Sequence, residues 1–273
     1  MSRKTEKLFW DPEALQAQLN TAVLGKRLIV FNRITSTNDL LKRLARRGAE
    51  TGTLVIADQQ TAGRGRRGRP WQSPPQVGLW FSFILRPEVP LERIGTLPLA
   101  IAAVVAEALS AICDKTFTVK WPNDILWQRR KVCGILCETQ FSPAANSNQL
   151  DYVIAGIGIN VNQPPQDFHP DWRERAVSLR MSTAQKMDRQ KVLAALAPRL
   201  EQNLLVNLSS NLPDLLSRWR SRCAEMGKPI QLQAVRETIA GVFEDIGAGG
   251  ELVLRLPNGQ RQVFAAGEIS LIK

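Results

Sequence analysis

Apolar positions between residues 27 and 224 follow two different patterns. Short apolar runs bounded by polar or turn residues predict strands, whereas longer runs with apolar residues three or four positions apart predict helices. The predicted strands cover residues 28–34, 53–57, 79–85, 116–120, 131–139 and 152–161. The predicted helices cover residues 36–48, 97–112, 189–208 and 212–223. Elements mixed in this order, with hairpin-like links, predict an α+β fold with a mixed β-sheet and flanking helices.

The residues from Gly227 onward carry a different pattern. Five short apolar runs at a spacing of roughly ten residues predict strands, and Gly249-Gly250 is one of the turns between them. These strands cover residues 229–235, 238–243, 251–256, 261–265 and 268–272. They predict a small C-terminal β-barrel. The predicted organisation is an N-terminal extension with one helix (1–26), a main domain (27–224) and the barrel (225–273).

The composition is that of an ordinary globular protein, with 273 residues, 44% of them hydrophobic and 22% charged. The longest apolar run, 97–112, is interrupted by Glu107 and Ser110, so no membrane segment is expected. The first twelve residues lack the apolar core of a secretory signal. The four cysteines have no metal-type pairing and are interpreted as reduced thiols, which predicts a cytoplasmic location.

The chain contains one histidine, His169, in a Pro-rich segment. A Ser-His-Asp or Cys-His mechanism would have to use it, and a surface histidine is the simpler interpretation. Any chemistry would therefore depend on lysine, arginine and backbone donors, with a metal held by the substrate. The net charge of +11 favours an anionic partner without identifying it.

The segment 60–71 contains three glycines and four arginines between positions 63 and 69. Backbone N–H groups and guanidinium groups in such a segment suit a phosphate or a carboxylate. Gly63, Gly65 and Gly68 satisfy a dinucleotide fingerprint, but the prolines that follow prevent the helix which it requires. An RGG-type nucleic-acid segment and a solvated basic loop are alternatives. An active-site loop that orders on ligand binding is the favoured interpretation.

Two further segments combine polar groups with strand ends. Lys-Trp-Pro-Asn-Asp at 120–124 offers a cation, an amide and a carboxylate in one corner, although Asn and Asp are also common turn residues. Lys131 follows, and Gly134 in the next strand suits close approach of a ligand. The segment 155–162, at the end of a predicted strand, contains two glycines and two asparagines. This suits a flat ring that lies beside the backbone, with Asn160 forming a hydrogen bond to the edge of the ring.

Taken in order, these segments resemble those of the biotin–protein ligases. The segments are Ser-Thr-Asn at 36–38, the glycine- and arginine-rich 60–69, Lys-Trp-Pro-Asn-Asp at 120–124, Lys-Val-Cys-Gly at 131–134 and Gly-Ile-Gly-Ile-Asn at 156–160. The resemblance extends over residues 28–273. It implies a catalytic domain like that of class II aminoacyl-tRNA synthetases and an SH3-like C-terminal barrel.

The resemblance also implies a two-step reaction. Biotin and ATP would first form biotinyl-5′-adenylate and pyrophosphate, with Mg²⁺ sharing the phosphate charge. A lysine of a biotin carboxyl carrier protein, the acetyl-CoA carboxylase subunit, would then receive the biotin. Because the biotin carboxylate is already ionised at neutral pH, no histidine base is needed, and positioned cations would lower the barrier.

The residue roles are carried over from the same resemblance. Biotin binding is expected from Ser36, Thr37, Asn38, Gln60, Gly63, Arg64, Lys131 and Gly134. ATP binding is expected from Arg66, Arg69, Trp71, Asn123 and Asn160. Lys131, Arg66 and Arg64 are the expected catalytic cations. Two roles stay open for Asp124, binding of Mg²⁺ and orientation of the acceptor lysine.

Many bacterial members of the family carry a DNA-binding domain before the ligase. Fewer than thirty residues precede the first predicted strand here, so we expect no specific DNA binding and no repression. Homodimerisation through the central sheet, known in some relatives, is left open. The alternatives are a lipoate– or octanoyl–protein ligase, and a basic nucleic-acid-binding protein supported only by the charge and the arginines.

Overall fold

The computed structural model describes residues 9–142, 150–234 and 237–272. The helices are α1 Pro12–Leu19, α2 Thr37–Ala45, α3 Leu97–Cys113, α4 Pro170–Arg173, α5 Leu179–Thr183, α6 Arg189–Leu200 and α7 Leu208–Arg222. The strands are β1 Leu28–Ile34, β2 Leu54–Gln60, β3 Gly78–Leu85, β4 Thr118–Lys120, β5 Asp124–Trp127, β6 Arg130–Phe141, β7 Leu150–Asn160, β8 Pro229–Gln233, β9 Thr238–Ile246, β10 Leu252–Arg255, β11 Arg261–Phe264 and β12 Glu268–Leu271.

The first seven strands form one sheet in the order β1-β2-β3-β7-β6-β5-β4. Strands β1 and β2 are parallel, and every other neighbouring pair is antiparallel. The predicted mixed sheet is therefore confirmed. Because α2 connects β1 to β2, the two strands can run in the same direction.

Each face of this sheet has its own core, because successive strand residues point to opposite sides. Leu54 and Phe81 belong to the larger core, which includes α3, α6 and α7. Val55 and Ile154 belong to a smaller core under α2. Further along the α2 face, β3 and β7 carry small residues, which leaves room for a ligand.

Helix α3 is the central helix of the larger core. The helical stretch Leu91–Cys113, which includes it, is long and apolar enough to cross a membrane by length and composition. Judged by length and composition alone, this stretch contradicts the expectation that the chain has no segment able to span a membrane. However, 72% of the apolar window is buried inside the protein, and α3 packs against α6, α7 and β6, as expected of a core helix.

Strands β8 to β12 form a second, antiparallel sheet in the order β11-β10-β9-β8-β12, called the C-terminal sheet below. This agrees with the expected SH3-like fold. The indole Nε1 of Trp121 donates to the carbonyl of Gly250 at 3.0 Å, and Arg220 on α7 pairs with Asp245 on β9 at 2.6 Å. These contacts dock the C-terminal sheet against the main sheet.

Several boundaries differ from the prediction for local reasons. The helix expected in the N-terminal extension is only α1, because Asp11 caps its start and Asn20 ends it in the left-handed region. The predicted helix 189–208 changes at Leu200 into a π-helical turn, Glu201–Val206. Strand β5 was not predicted; its four residues form a strand through their pairing with β4 and β6.

Candidate active site

A cavity of roughly 410 Å³ opens on the α2 face of the main sheet. Its walls include the start of α2, the glycine- and arginine-rich loop 60–71, the segment 120–134 and the C-terminal half of β7, together with residues of β3 and of the connection that follows β7. Residues 267–269 at the start of β12 close one side. The volume lies in the range of small-molecule sites. Of the predicted site residues, only Gly63 does not line this cavity.

One end of the cavity is a network of uncharged polar groups around Thr37. The backbone N–H of Thr37 donates to Oε1 of Gln60 at 2.9 Å, and the amide nitrogen of Gln60 donates to Ser73 at 3.1 Å. The hydroxyl oxygens of Thr37 and Ser82 lie 2.6 Å apart. Ser36 caps α2 by accepting a hydrogen bond from the N–H of Asp39. These groups can read the hydrogen-bonding edge of a small polar ring.

Asn38 connects this network to a partly buried carboxylate, that of Glu138. Its Oδ1 accepts from Ser82 at 2.5 Å, and its Nδ2 donates to Glu138 at 2.7 Å. Gly156 lies so close that a Cβ there would be 2.3 Å from Oδ1 of Asn38. Burial opposes the charge on Glu138, but hydrogen bonds from Lys42 and Asn38 hold the pKa of that carboxyl below its usual value.

Arg64 forms a fork with Asp39. Its two terminal nitrogens contact the two carboxylate oxygens of Asp39, and one of them also lies 3.4 Å from Glu138. The hydrogen bond to Asp39 raises the pKa of Arg64 and lowers that of Asp39. Arg64 therefore neutralises protein carboxylates and ties the loop to α2, rather than presenting a free cation.

The loop itself is a small hairpin. Trp71 N donates to the Gly63 carbonyl at 2.9 Å, and Gly65 N donates to the Arg69 carbonyl at 2.8 Å. A Cβ at Gly63 would lie 2.6 Å from the Trp71 carbonyl, so only glycine permits this approach. Arg66 extends into the cavity between these bonds, where burial lowers its pKa. The hairpin thus contributes a partly desolvated guanidinium to the lining of the cavity.

The ring of Trp71 covers the strands that form the floor. A Cβ at Gly158 would lie 2.5 Å from Nε1 of Trp71, and one at Gly134 would lie 3.0 Å from the ring. The close approach of the aromatic ring therefore requires glycine at position 158 and leaves little space for a Cβ at position 134. The Lys131 ammonium lies 5.0 Å from the ring centroid, within cation–π range.

Lys131 and Asp124 form the charged centre of the site. Nζ of Lys131 lies 2.6 Å from Oδ1 of Asp124, in the geometry of an ion pair rather than a directed hydrogen bond. The side chain of Asn123 donates to the Ile135 carbonyl at 2.6 Å, which joins β5 to β6 beside this pair. Lys131 and Arg66 are thus two cations that an anionic substrate would meet in one cavity.

Asn160 is buried, with 6% of its surface exposed. Its Nδ2 donates to the carbonyls of Val177 and Lys131, and its Oδ1 accepts from Gln163. The amide that was expected to bind adenine is therefore occupied by the protein itself.

The described parts of the chain contain no group of three or more His, Cys, Asp or Glu side chains that could hold a metal. Of the carboxylates that line the cavity, Asp124 is the one paired with Lys131, while Asp167 and Glu268 lie elsewhere on its wall. A divalent cation would need ligands from a bound substrate in addition to Asp124.

Four residues of the site were missed by the sequence reasoning: Ser82, Glu138, Gln163 and Arg129. Ser82 left a signal, since it is the one polar residue in the apolar strand Gly78–Leu85. Glu138 looked like an ordinary strand residue. Gln163 and Arg129 lie in connections, and only the tertiary structure brings them to the cavity.

Comparison with known proteins agrees with this architecture. Residues 30–160 match the model of the biotin/lipoate A/B protein ligase family, and residues 226–272 match the biotin protein ligase C-terminal domain. The chain belongs to the biotin/lipoate A/B protein ligase family. The second match, over the C-terminal sheet, assigns it to the biotin protein ligases within that family.

Individual relatives match over most of the chain. The biotin–[acetyl-CoA-carboxylase] ligase of Mycobacterium tuberculosis is 31% identical, over 95% of this chain and 94% of that protein. The bifunctional ligase/repressor BirA of Bacillus subtilis is 35% identical, over 91% of this chain and 75% of that protein. The structure of the Aquifex aeolicus biotin protein ligase with biotin and ATP superposes with a TM-score of 0.75 at 33% identity, covering 91% and 99% of the two chains.

Proposed function

We infer that this protein is an ATP-dependent ligase that activates biotin and attaches it to a protein. Family membership and the similarity to a ligase solved with biotin and ATP support this function. The observation that carries it into this chain is one cavity with two unlike ends. The uncharged Thr37–Gln60 network suits a ureido ring, and the cations Lys131 and Arg66 suit a carboxylate beside a phosphate.

The first step joins two anions. An oxygen of the biotin carboxylate attacks the α-phosphorus of ATP, the new C–O–P linkage forms, and the bond to pyrophosphate breaks. We assign Lys131 to the region between carboxylate and α-phosphate, and Arg66 to the phosphates. Both would offset the charge that accumulates as the groups approach. Trp71 would exclude water above Gly134 and Gly158.

In the second step the amine of an acceptor lysine attacks the carbonyl of the mixed anhydride, and AMP leaves as an amide forms. The names of the Mycobacterium tuberculosis and Paracoccus denitrificans relatives support the carrier protein of acetyl-CoA carboxylase as acceptor. Mg²⁺ would be held by the ATP phosphates, with Asp124 as the nearest protein ligand in the charged centre. When bound, it would share the phosphate charge.

The deciding experiment supplies the purified protein with ATP, Mg²⁺, a carrier domain and either biotin or lipoate. We expect biotin-dependent release of pyrophosphate without the acceptor, and biotinyl transfer to one lysine with it, followed by mass spectrometry. Lipoyl transfer without biotinyl transfer would overturn the proposal. A cytoplasmic location and the lack of specific DNA binding stay predictions; a specific operator shift at physiological salt would contradict the latter.

A further inference from the structure

The hydrogen bonds of Asn160 fix the orientation of a neighbouring amide. The carbonyl oxygens of Val177 and Lys131 can only accept, so the nitrogen of the Asn160 amide must face them, at 3.2 and 3.4 Å. Its oxygen Oδ1 then faces Gln163. Gln163 must in turn donate with Nε2, which it does at 3.2 Å.

With these hydrogen bonds formed, one polar atom of the Gln163 side chain has no partner among the described residues. Oε1 of Gln163 is buried and has no hydrogen-bond partner in the described parts of the chain. The residue has 3% of its surface exposed and lines the cavity. Buried side-chain oxygens are nearly always paired, because leaving one unpaired costs free energy. Within the site, Oε1 is therefore an acceptor that lacks a donor.

A second unpaired group, of the opposite kind, lies against strand β7, which ends three residues before Gln163. Nε1 of Trp71 is buried without a partner among the described residues, and it lies against Gly158. Gly158 and Asn160 point to the same face of β7, because residues two apart share a face. An unpaired donor thus lies against Gly158, an unpaired acceptor follows the end of the same strand, and both residues line the cavity.

We propose that Gln163 determines the choice of nucleotide base, with Oε1 accepting a hydrogen bond from the exocyclic amine of adenine. This inference rests on the proposed use of ATP. Adenine presents a donor at position 6, whereas guanine and hypoxanthine present a carbonyl oxygen there. A carbonyl would face Oε1 acceptor to acceptor. Asn160 acts as a positioning residue, since its locked amide turns Gln163 toward the base.

The test compares ATP with its 6-deamino analogue, purine riboside triphosphate, and with inosine triphosphate. Biotin-dependent pyrophosphate release is measured for the wild-type chain, and kcat/KM is determined for each nucleotide. We expect ATP to be preferred by about tenfold to a hundredfold, the effect of one buried hydrogen bond. In Gln163→Met, which keeps the side-chain length, the preference should disappear. The KM for ATP should rise while the KM for biotin stays unchanged.

Asn162 offers the matched control. It lies in the same connection, but both ends of its amide are paired with the backbone of Met187. Asn162→Leu should disturb the connection and lower the overall rate, yet leave the ratio of ATP to the deamino analogue unchanged. If Gln163→Met acted only by disturbing the structure, it would likewise lower the overall rate and leave the ratio of ATP to the deamino analogue unchanged.

The outcomes separate this inference from the proposed function. Absence of biotin-dependent pyrophosphate release in the wild-type protein would refute the function. Normal activity without preference for ATP over the deamino analogue would refute the role of Gln163, and this comparison needs no variant to fold. A preference that survives Gln163→Met, or a rise in the KM for biotin alone, would also overturn it.

Discussion

The carboxylate of Glu268 on β12 forms an ion pair with the guanidinium of Arg69 in the glycine- and arginine-rich loop. The contact joins the C-terminal sheet to the loop at the cavity wall. At the other end of the loop, Arg64 is held by Asp39 on α2. The loop is thus attached to α2 and to the C-terminal sheet, which gives the C-terminal sheet a direct contact with the site.

Removing the charge of Glu268 should loosen the loop. Both side chains of the pair are about half exposed, at 56% and 47%, so the ion pair is expected to contribute little. In Glu268→Gln we expect the biotinyl-adenylate to dissociate about two- to fivefold faster at low salt. The difference from wild type should vanish at high salt because the pair is screened.

The control is Glu244→Gln, which breaks the Arg261–Glu244 pair in the same C-terminal sheet, away from the cavity. It should leave the dissociation rate of the adenylate unchanged. Equal acceleration in both variants would mean that the C-terminal sheet is merely destabilised. Recovery of slow dissociation in the charge swap Arg69→Glu with Glu268→Arg would identify the pair itself.

Arg66→Gly should release the adenylate. Arg66 lines the cavity, so its loss should remove the charge-assisted contact to the phosphate that we assign to it and accelerate dissociation about ten- to a hundredfold. Escaped adenylate should label lysines of an unrelated protein, which mass spectrometry detects. Arg67→Gly is the matched control, since Arg67 already has a left-handed φ of 55° that glycine adopts freely. Equal leakage would implicate loop flexibility.

Lys131→Gln should impair the adenylation step itself. The amide keeps a donor for Asp124 but lacks the charge placed between carboxylate and phosphate. We expect kcat for pyrophosphate release to fall about 10²–10³-fold, as for loss of one transition-state donor. Transfer from added biotinyl-adenylate to the acceptor should fall less. A change confined to KM would contradict the assignment, and Lys115→Gln on an exposed turn controls for loss of charge.

The fold was largely predictable because apolar periodicity reports burial directly. Strand β1 has the predicted bounds, helix α2 lies within the predicted 36–48, and α3 extends the predicted helix by one residue. The failures occurred where a few residues decide the local backbone. The π-helical turn at 201–206 replaces helix within a continuous amphipathic pattern, and strand β5 is defined by its pairing with β6 rather than by its sequence.

The site was less predictable, because side-chain pairing is a tertiary property. The sequence resemblance predicted Arg64 and Lys131 as site residues, but it did not indicate that Arg64 is hydrogen-bonded to Asp39. Nor did it show that the amide nitrogen of Asn160 donates to backbone carbonyls of the protein. Which polar atoms remain free can be established only when every partner has been accounted for.

The ion pair and hydrogen bonds of Glu138 should make the free energy of unfolding depend on pH in the acidic range. The folded pKa of Glu138 is lowered from 4.5, so its contribution is present above that pH and is lost as the pH falls through the folded pKa. At pH 7, Glu138→Gln should lower the free energy of unfolding by about 1–3 kcal/mol, because Lys42 loses a charged partner. Urea unfolding should show this difference shrinking below pH 4.5. Exposed Glu50→Gln should show no such dependence.

The turn between β5 and β6 should lower the stability of the protein while placing Arg129 at the cavity. Gln128 and Arg129 both have left-handed φ values, 48° and 66°, in a two-residue connection that favours Asn-Gly. Replacing both by Asn-Gly should raise the free energy of unfolding by roughly 0.5–1 kcal/mol, measured by urea denaturation. Because Arg129 lines the cavity, the same variant should show a lower kcat/KM for ATP. Gln128→Asn alone should gain stability without this loss; unchanged activity in the double variant would show that Arg129 serves no substrate.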